Sequence, residues 1–457
     1  MAITTLDPSA RNDEGHLSTV KIGFIIVMFV VSLAAFVSQT EFTAEAYDKG
    51  WKEPIVLLFV THGSWWVFWP VQAIGTAIIR TGARTWKKRN HYQPVDQRNN
   101  GLIDEGVIIT PKVGTWEYFQ RNLIKQIHNV YHTAILIYES EVNDNKQTNN
   151  LQVLIDQNVH LPNSGSVIAC FKALLGTPVF KYIYIKAVIV TVVLTVAGLT
   201  WYAAIGLTYA SNVTAIYNCS AFTAYIFAIP ILREKFSWLK MLSVVVAIAG
   251  VFVVAYSGEN NGNDESHPYK LIGNLLISGG AILYGYYEVL YKKWLCVPPH
   301  LAPLITPRRQ MTFANFVMGL LGITTSVILI SVFIIGEITG IHHFNWSHYG
   351  KETGTIWAYI SGSIVSNMLF SASFLTLMAL TSPVLSSVSS LLTIFLVGVV
   401  EWVVFGILLT PAQLLGDMLV VVGFVILTVA SWKEISEGAD DDEVEAVSTY
   451  SFAVSQN

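Results

Sequence analysis

Two stretches carry the reading of this chain: LSVVVAIAGVFVV at Leu242–Val254 and LGDMLVVVGFVIL at Leu415–Leu427. At an offset of 173 residues they share one apolar pattern, and Gly250 falls on Gly423. Thirteen residues before each glycine stands a residue suited to cap a helix N-terminus, Ser237 in one half and Thr410 in the other. Pro411 follows Thr410, where its missing N–H and fixed φ fit the first helical position. Further back, YASNV from Tyr209 and LTSPV from Leu380 open the preceding helix of each half.

Working outward from these helices, the chain divides into apolar runs long enough for hydrocarbon. A membrane-spanning helix needs about 20 such residues, because its backbone groups must be paired within the segment. Ten stretches qualify: Ile22–Val37, Pro54–Ile79, Tyr184–Ala210, Asn212–Leu232, Leu239–Tyr256, Leu271–Leu290, Met311–Ile338, Thr355–Leu380, Pro383–Phe405 and Pro411–Trp432. The expected fold class is therefore all-α, a polytopic membrane protein of about ten transmembrane helices in two five-helix repeats. Five is odd, so the repeats are inverted with respect to each other, an arrangement that builds a site at the bilayer midplane.

Composition agrees. Of 457 residues 53% are hydrophobic and 13% charged, against about 25% charged in soluble domains. A net charge of -4 gives no basic surface for nucleic acid. Cys170, Cys219 and Cys296 stand singly, and His342, His343 and His348 lack a carboxylate or cysteine at ligand spacing, so neither a disulfide framework nor a metal is expected. No P-loop, HExxH, GxSxG or CxxC motif occurs, which gives an enzyme, a cofactor or ATP-driven pumping no sequence basis.

The expected organisation is a cytosolic tail over 1–21, spans one and two over 22–80, a partly disordered cytosolic insertion over 81–183, spans three to five over 184–257, spans six to ten over 258–432, and an acidic cytosolic tail over 433–457. With both termini cytosolic, the short loops keep their basic residues inside: Arg233, Lys235 and Lys240 after span four, and Lys292, Lys293, Arg308 and Arg309 after span six. The same orientation leaves the sequon at Asn345 open to glycosylation. Within the insertion, Trp116 to Tyr138 has the pattern of an amphipathic helix, Asn143 to Asn150 reads as disordered, and deletion of His91 to Gly165 is expected to leave the function of the spans intact.

The stretch from Ala204 to Gly258, with its LREKFSW turn before LSVVVAIAG, resembles the end of an EamA-type repeat of the drug/metabolite transporter superfamily. Span six ends GYYEVLYKK, where Tyr287, Val289, Leu290, Tyr291 and Lys292 fill a motif similar to that of the F branch of solute carrier family 35 and its fungal relatives. The resemblance covers spans three to ten better than spans one and two. It implies a ten-helix secondary carrier without covalent chemistry; some F-branch members are linked to thiamine, and other members of the wider family carry nucleotide sugars. The family's acidic residue before the fifth helix of a repeat matches Glu234, but Ile407 stands in the second half.

Ionisable residues inside spans cost about 2.5 to 3.5 kcal/mol at helix centres and so mark candidate sites. Glu401 and Asp417 each lie eight residues from Leu409, roughly 12 Å deep at about 1.5 Å per residue, and could bind a cationic solute or a coupling proton. Glu288 near the end of span six is a candidate gate or a helical partner for Lys292. Thr214 and Asn218 of span four, and Ser386 and Ser389 of span nine, recur on matching polar faces suited to solute lining or to close helix packing. Tyr287 could stack on a flat ring or cation. No Lys or Arg falls near the middle of a span, which disfavours a phosphate held at the midplane. Three functions stay open: a transporter of a small organic metabolite such as the cationic aromatic thiamine, a nucleotide-sugar or phosphate-ester exchanger, and a non-transporting membrane sensor or scaffold. The expected partners are a small-molecule solute, the lipid bilayer, a coupled proton or counter-solute and, as an open option, a second copy in a homodimer. The expected location is an internal membrane, vacuolar or Golgi/ER rather than plasma membrane.

Overall fold

The computed structural model describes residues 8–90, 114–142, 151–162, 165–233, 236–256, 268–298, 301, 304–346, 349–380 and 410–423, together with 393, 396–397, 400, 402–404, 406, 425–427 and 429–430. Every regular element among the described residues is helical. In chain order they are α1 (Pro8–Asp48), α2 (Pro54–His62), α3 (Phe68–Asn90), α4 (Thr115–Glu141), α5 (Leu151–Asp156), α6 (Val167–Leu175), α7 (Pro178–Ile205), α8 (Ala210–Asn218), α9 (Ser220–Leu232), α10 (Trp238–Tyr256), α11 (Lys270–Leu295), α12 (Pro307–Thr339) and α13 (Thr353–Leu380). The apolar helix Pro411–Leu427 follows as α14.

Among the described residues, five helices are long and apolar enough to cross a membrane: Ile26–Asp48, Pro54–Trp86, Pro178–Ile205, Ala210–Leu232 and Arg308–Thr339. Spans five and ten of the sequence reading are the shorter apolar helices α10 and α14, and spans six and eight are α11 and α13. Buried polar residues dilute the apolar character of these last two, Asn274 on α11 and Ser363, Ser366, Asn367, Ser371 and Ser373 on α13. Span nine, Pro383–Phe405, lies mostly outside the described residues.

The end of span one needs correction. Polar character after Val37 suggests an exit from the membrane there, yet α1 continues to Asp48 with Gln39, Thr40 and Thr43 buried. Gln39 and Thr43 face α13 rather than water: the Thr43 and Ser363 hydroxyls lie 2.8 Å apart, and Asn367 Nδ2 donates to Gln39 Oε1 at 3.2 Å. Span two runs past Ile79 to Trp86 and is broken by a 3-10 turn at Gly63–Val67.

The chain forms two compact units. The first comprises residues 1–66, 186–296 and 320–457 and holds the helical bundle. Its largest fully buried side chains include Trp51, Leu57, Leu58, Tyr202 and Phe222. The second comprises 67–185 and 297–319. There α4 packs on α3, α5 and α6, with Ile124, Ile127, Val130, Tyr131, Ala134 and Ile135 at helical spacing on its buried face. A deletion from His91 to Gly165 would remove that face from the core of the second unit.

The repeat is visible in the packing of the first unit. A Cβ built on Gly250 would lie 2.7 Å from Gly416 O and 2.8 Å from Val420 N; one built on Gly423 would lie 2.8 Å from Ser243 O and 2.9 Å from Ala247 N. A shift of 173 turns Ser243, Ala247 and Gly250 into Gly416, Val420 and Gly423, so the two contact sets are equivalent under exchange of the halves. Stepping back along α10 from Gly250 to Ala247 moves the partner forward along α14 from Val420 to Gly423. The two helices therefore cross antiparallel about a local two-fold axis, as inverted repeats require. Glycine at the crossing lets backbones meet where any Cβ would hold them apart. Thr410 caps α14 as expected, its Oγ1 accepting the Gln413 N–H at 3.1 Å.

Candidate functional site

Within the bundle, the helix of span four is interrupted at Cys219, between α8 and α9. The Cys219 N–H bonds back to Ile216 O at 3.1 Å, a tightened turn in a segment that would otherwise cross as one helix. Such discontinuities in membrane helices free backbone groups and polar side chains for a solute. Asn218, at the break, is buried; its Nδ2 donates to Thr214 O at 2.9 Å and to Thr393 Oγ1 at 3.5 Å.

Thr214 is fully buried, and its Oγ1 has no hydrogen-bond partner among the described residues. Among the buried threonines of the bundle, Thr40, Thr43, Thr61 and Thr191 return their hydroxyls to the carbonyl four residues back at 2.7–3.0 Å, whereas those of Thr195 and Thr325, like that of Thr214, have no partner among the described residues.

The packing of α11 on α8 and α9 brings further candidates to this break. Gly285 permits the approach, since a Cβ there would lie 2.6 Å from both Ala224 N and Ser220 O. Tyr217 of α8 meets Tyr284 at 4.8 Å between ring centroids, and Tyr284 meets Tyr287 at 5.2 Å. Glu288 is half-buried and within electrostatic reach of Tyr217, Tyr284 and Tyr287. On α14, Asp417 is buried and within electrostatic reach of Cys219, and Gln413 Nε2 donates to Ser211 Oγ at 2.8 Å. Thr214, Asn218, Tyr287, Glu288 and Asp417 thus gather around one interruption. Glu401, Ser386 and Ser389 lie outside the described residues.

Asn345 stands apart, half-buried in the loop before α13. Its N–H donates to Glu53 Oε1 at 3.2 Å, while Glu53 Oε2 lies 3.0 Å from His342 Nε2. The neighbouring Trp346 packs on Phe59 and Phe333.

A second polar cluster escapes a reading that counts only ionisable residues. Gln39 Nε2 donates to Tyr202 OH at 3.3 Å, and Trp65 Nε1 donates to Asn367 Oδ1 at 2.8 Å. With the bond from Asn367 to Gln39, this joins α1, α7, α13 and the 3-10 turn after α2. His62 packs against Trp65 at 4.4 Å and lies edge-on to Tyr202 at 5.9 Å. Neutral amides in otherwise apolar helices were the available signal.

No family model matches the chain. Solute carrier family 35 member F3 of Mus musculus is 21% identical over 247 residues, covering 54% of this chain and 53% of that protein. The chain is thus similar, at low identity, to proteins of the F branch. An uncharacterized transporter of Schizosaccharomyces pombe is 26% identical over 238 residues, 50% of this chain and 65% of that one. The mannosyl phosphorylinositol ceramide synthase regulatory protein of Saccharomyces cerevisiae is 24% identical over 282 residues, 56% of this chain and 65% of that one. The alignment thus spans about half the length of the mammalian F-branch homologue. Apolar helices of spanning length and homologues named as transporters together make this an integral membrane protein.

Proposed function

We propose that this protein is a secondary transporter of a small organic solute, carried through the bundle of the first unit at the break in span four. The observation that carries the reading is the antiparallel, two-fold-related crossing of α10 and α14 at Gly250 and Gly423, because inverted repeats supply two exchangeable states around one central site. Homologues named as transporters support the same class. The tyrosines at 217, 284 and 287 beside Glu288 offer a face suited to a flat or cationic ring. Asp417, and Glu401 at the matching depth, would supply charge to a cationic solute or a coupling proton. The lack of Lys or Arg near mid-span disfavours the phosphate-ester alternative.

Purified protein in proteoliposomes, offered a panel of labelled cationic, neutral and phosphorylated metabolites, tests the proposal; no uptake of any would count against transport. Glu401→Gln keeps shape and hydrogen bonding but cannot ionise, so it should abolish uptake and any dependence on pH. Wild-type rates and pH profile in that variant would remove Glu401 from the mechanism. Both termini are proposed to face the cytosol of an internal membrane, with only the loop at Asn345 open to glycosylation. A C-terminal tag protected from protease in intact organelles would reverse that orientation.

A second reading has one observation in its favour: a homologue named as the regulatory protein of a synthase. On that reading the chain would act by binding another membrane protein, and proteoliposomes holding this chain alone would take up nothing while co-purification would recover a stoichiometric partner.

A further inference from the structure

The second unit contains a cavity of about 270 Å³ lined by Arg121, Ile124, Lys125, His128, Asn129 and His132 of α4 and by Arg309 in the first turn of α12. The four basic α4 residues recur at i, i+4, i+7 and i+11, which sets them along one face of the helix. One of the three fixed cations is partly offset, since Arg121 pairs with Glu117 at 2.6 Å with both side chains about half exposed. Lys125 and Arg309 have no carboxylate partner among the described residues. The ring of His128 is fixed by Pro162 O at 3.1 Å and meets His132 at 5.6 Å between centroids. Burial first, and then His128, Arg309 and His160, hold the His132 imidazole down at about 4. Those neighbours are all basic, so the cavity has an uncompensated positive potential that an anion would relieve.

The cavity also has a definite level. α3 completes span two and lays Arg80 and Arg84 on α4, with Arg80 3.5 Å from Asn122 Oδ1 and Arg84 4.2 Å from the centre of the Tyr118 ring. α12 enters its apolar span at Arg308, directly before Arg309. Arg309 therefore stands where a membrane-crossing helix emerges into water, the depth of phospholipid headgroups.

We propose that this pocket binds a phosphate group, presented either by an anionic lipid headgroup or by a soluble phosphate monoester. Lys125 and Arg309 are the principal contacts, Arg309 through its planar fork and Lys125 as a point charge. The site belongs to the second unit and does not depend on the transport reading, which concerns the first.

Full-length protein in detergent would be titrated with inorganic phosphate, with dioctanoyl phosphatidic acid and with dioctanoyl phosphatidylcholine, at low and high salt. Inorganic phosphate and phosphatidic acid should both bind, with affinity falling as salt rises. Lys125→Gln and Arg309→Gln should each weaken binding about tenfold, or about 1.4 kcal/mol, whereas Lys351→Gln should leave it unchanged. Phosphatidic acid binding more tightly than inorganic phosphate assigns a headgroup site, and equal affinity assigns a soluble phosphate site. No binding of either inorganic phosphate or phosphatidic acid, equal binding of phosphatidylcholine, or unchanged affinity in the variants overturns the proposal. Lys125 is exposed, so Lys125→Gln decides the question even if Arg309→Gln fails to fold.

Discussion

Around Gln39 and Asn367 the bundle closes on itself: both amide oxygens and both amide nitrogens are engaged, by each other, by Tyr202 and by Trp65. Around Asn218 it does not. The contact of Asn218 to Thr393 is stretched to 3.5 Å, and the hydroxyl of Thr214, one turn back, meets nothing among the described residues. Both clusters sit inside helices that hydropathy alone treats as membrane filler. The difference separates two uses of polarity in a bundle, one that fixes helices to each other and one that leaves bonding capacity for something else.

The repeat crossing sets the scale of the effects. Gly250→Ala and Gly423→Ala each force a Cβ against backbone under 3.0 Å away, so each should destabilise the purified protein by about 1–3 kcal/mol. Because both open the same pair of helices, the double variant should cost less than the sum in a thermal or denaturant titration. Strict additivity would mean the two contacts are independent and would weaken the two-fold argument.

Next comes the closed cluster. Gln39→Leu or Asn367→Leu leaves buried partners unpaired and should cost about 1–3 kcal/mol, with uptake falling only as far as the amount of folded protein falls. A loss of uptake in protein of wild-type stability would move the solute path to this cluster and invert the comparison.

At the open cluster the expected stability change is smaller and the functional change larger. Thr214→Val removes a hydroxyl with no partner among the described residues, so stability should hold or rise slightly. Uptake in proteoliposomes should fall by an order of magnitude or more. Unchanged uptake would identify Thr214 as packing only.

The smallest expected effect belongs to the second unit. His132 is held at about 4, below the ordinary value of 6.5, so the unfolded chain takes up its proton first as the pH drops. The stabilisation from keeping it neutral is complete above about 6.5 and is lost as the pH falls towards about 4. The thermal midpoint should therefore decline over that range, and His132→Gln should flatten the decline. A phosphate in the neighbouring pocket would oppose it by favouring the protonated ring.

Much of the fold was legible because hydrocarbon enforces it. An apolar run long enough to span must pair its backbone internally, and so α7, α10, α12 and α13 fall close to where composition places them. The repeat was legible as an offset of 173 residues, and Thr410 as a cap from its place before Pro411. What composition could not decide is whether a polar residue at a helix end faces water or another helix. Gln39 and Thr43 fall beyond Val37, where the apolar run of span one ends, and the approach of α13 turns them inward. Nor could it decide which faces meet: Asn218, Tyr287 and Asp417 are distant in sequence and converge because Gly285, Gly250 and Gly423 let backbones come close. Side-chain type and spacing are local properties of the chain, whereas the pairing of polar groups depends on which helices are neighbours, and that is settled by the sum of packing over the whole bundle.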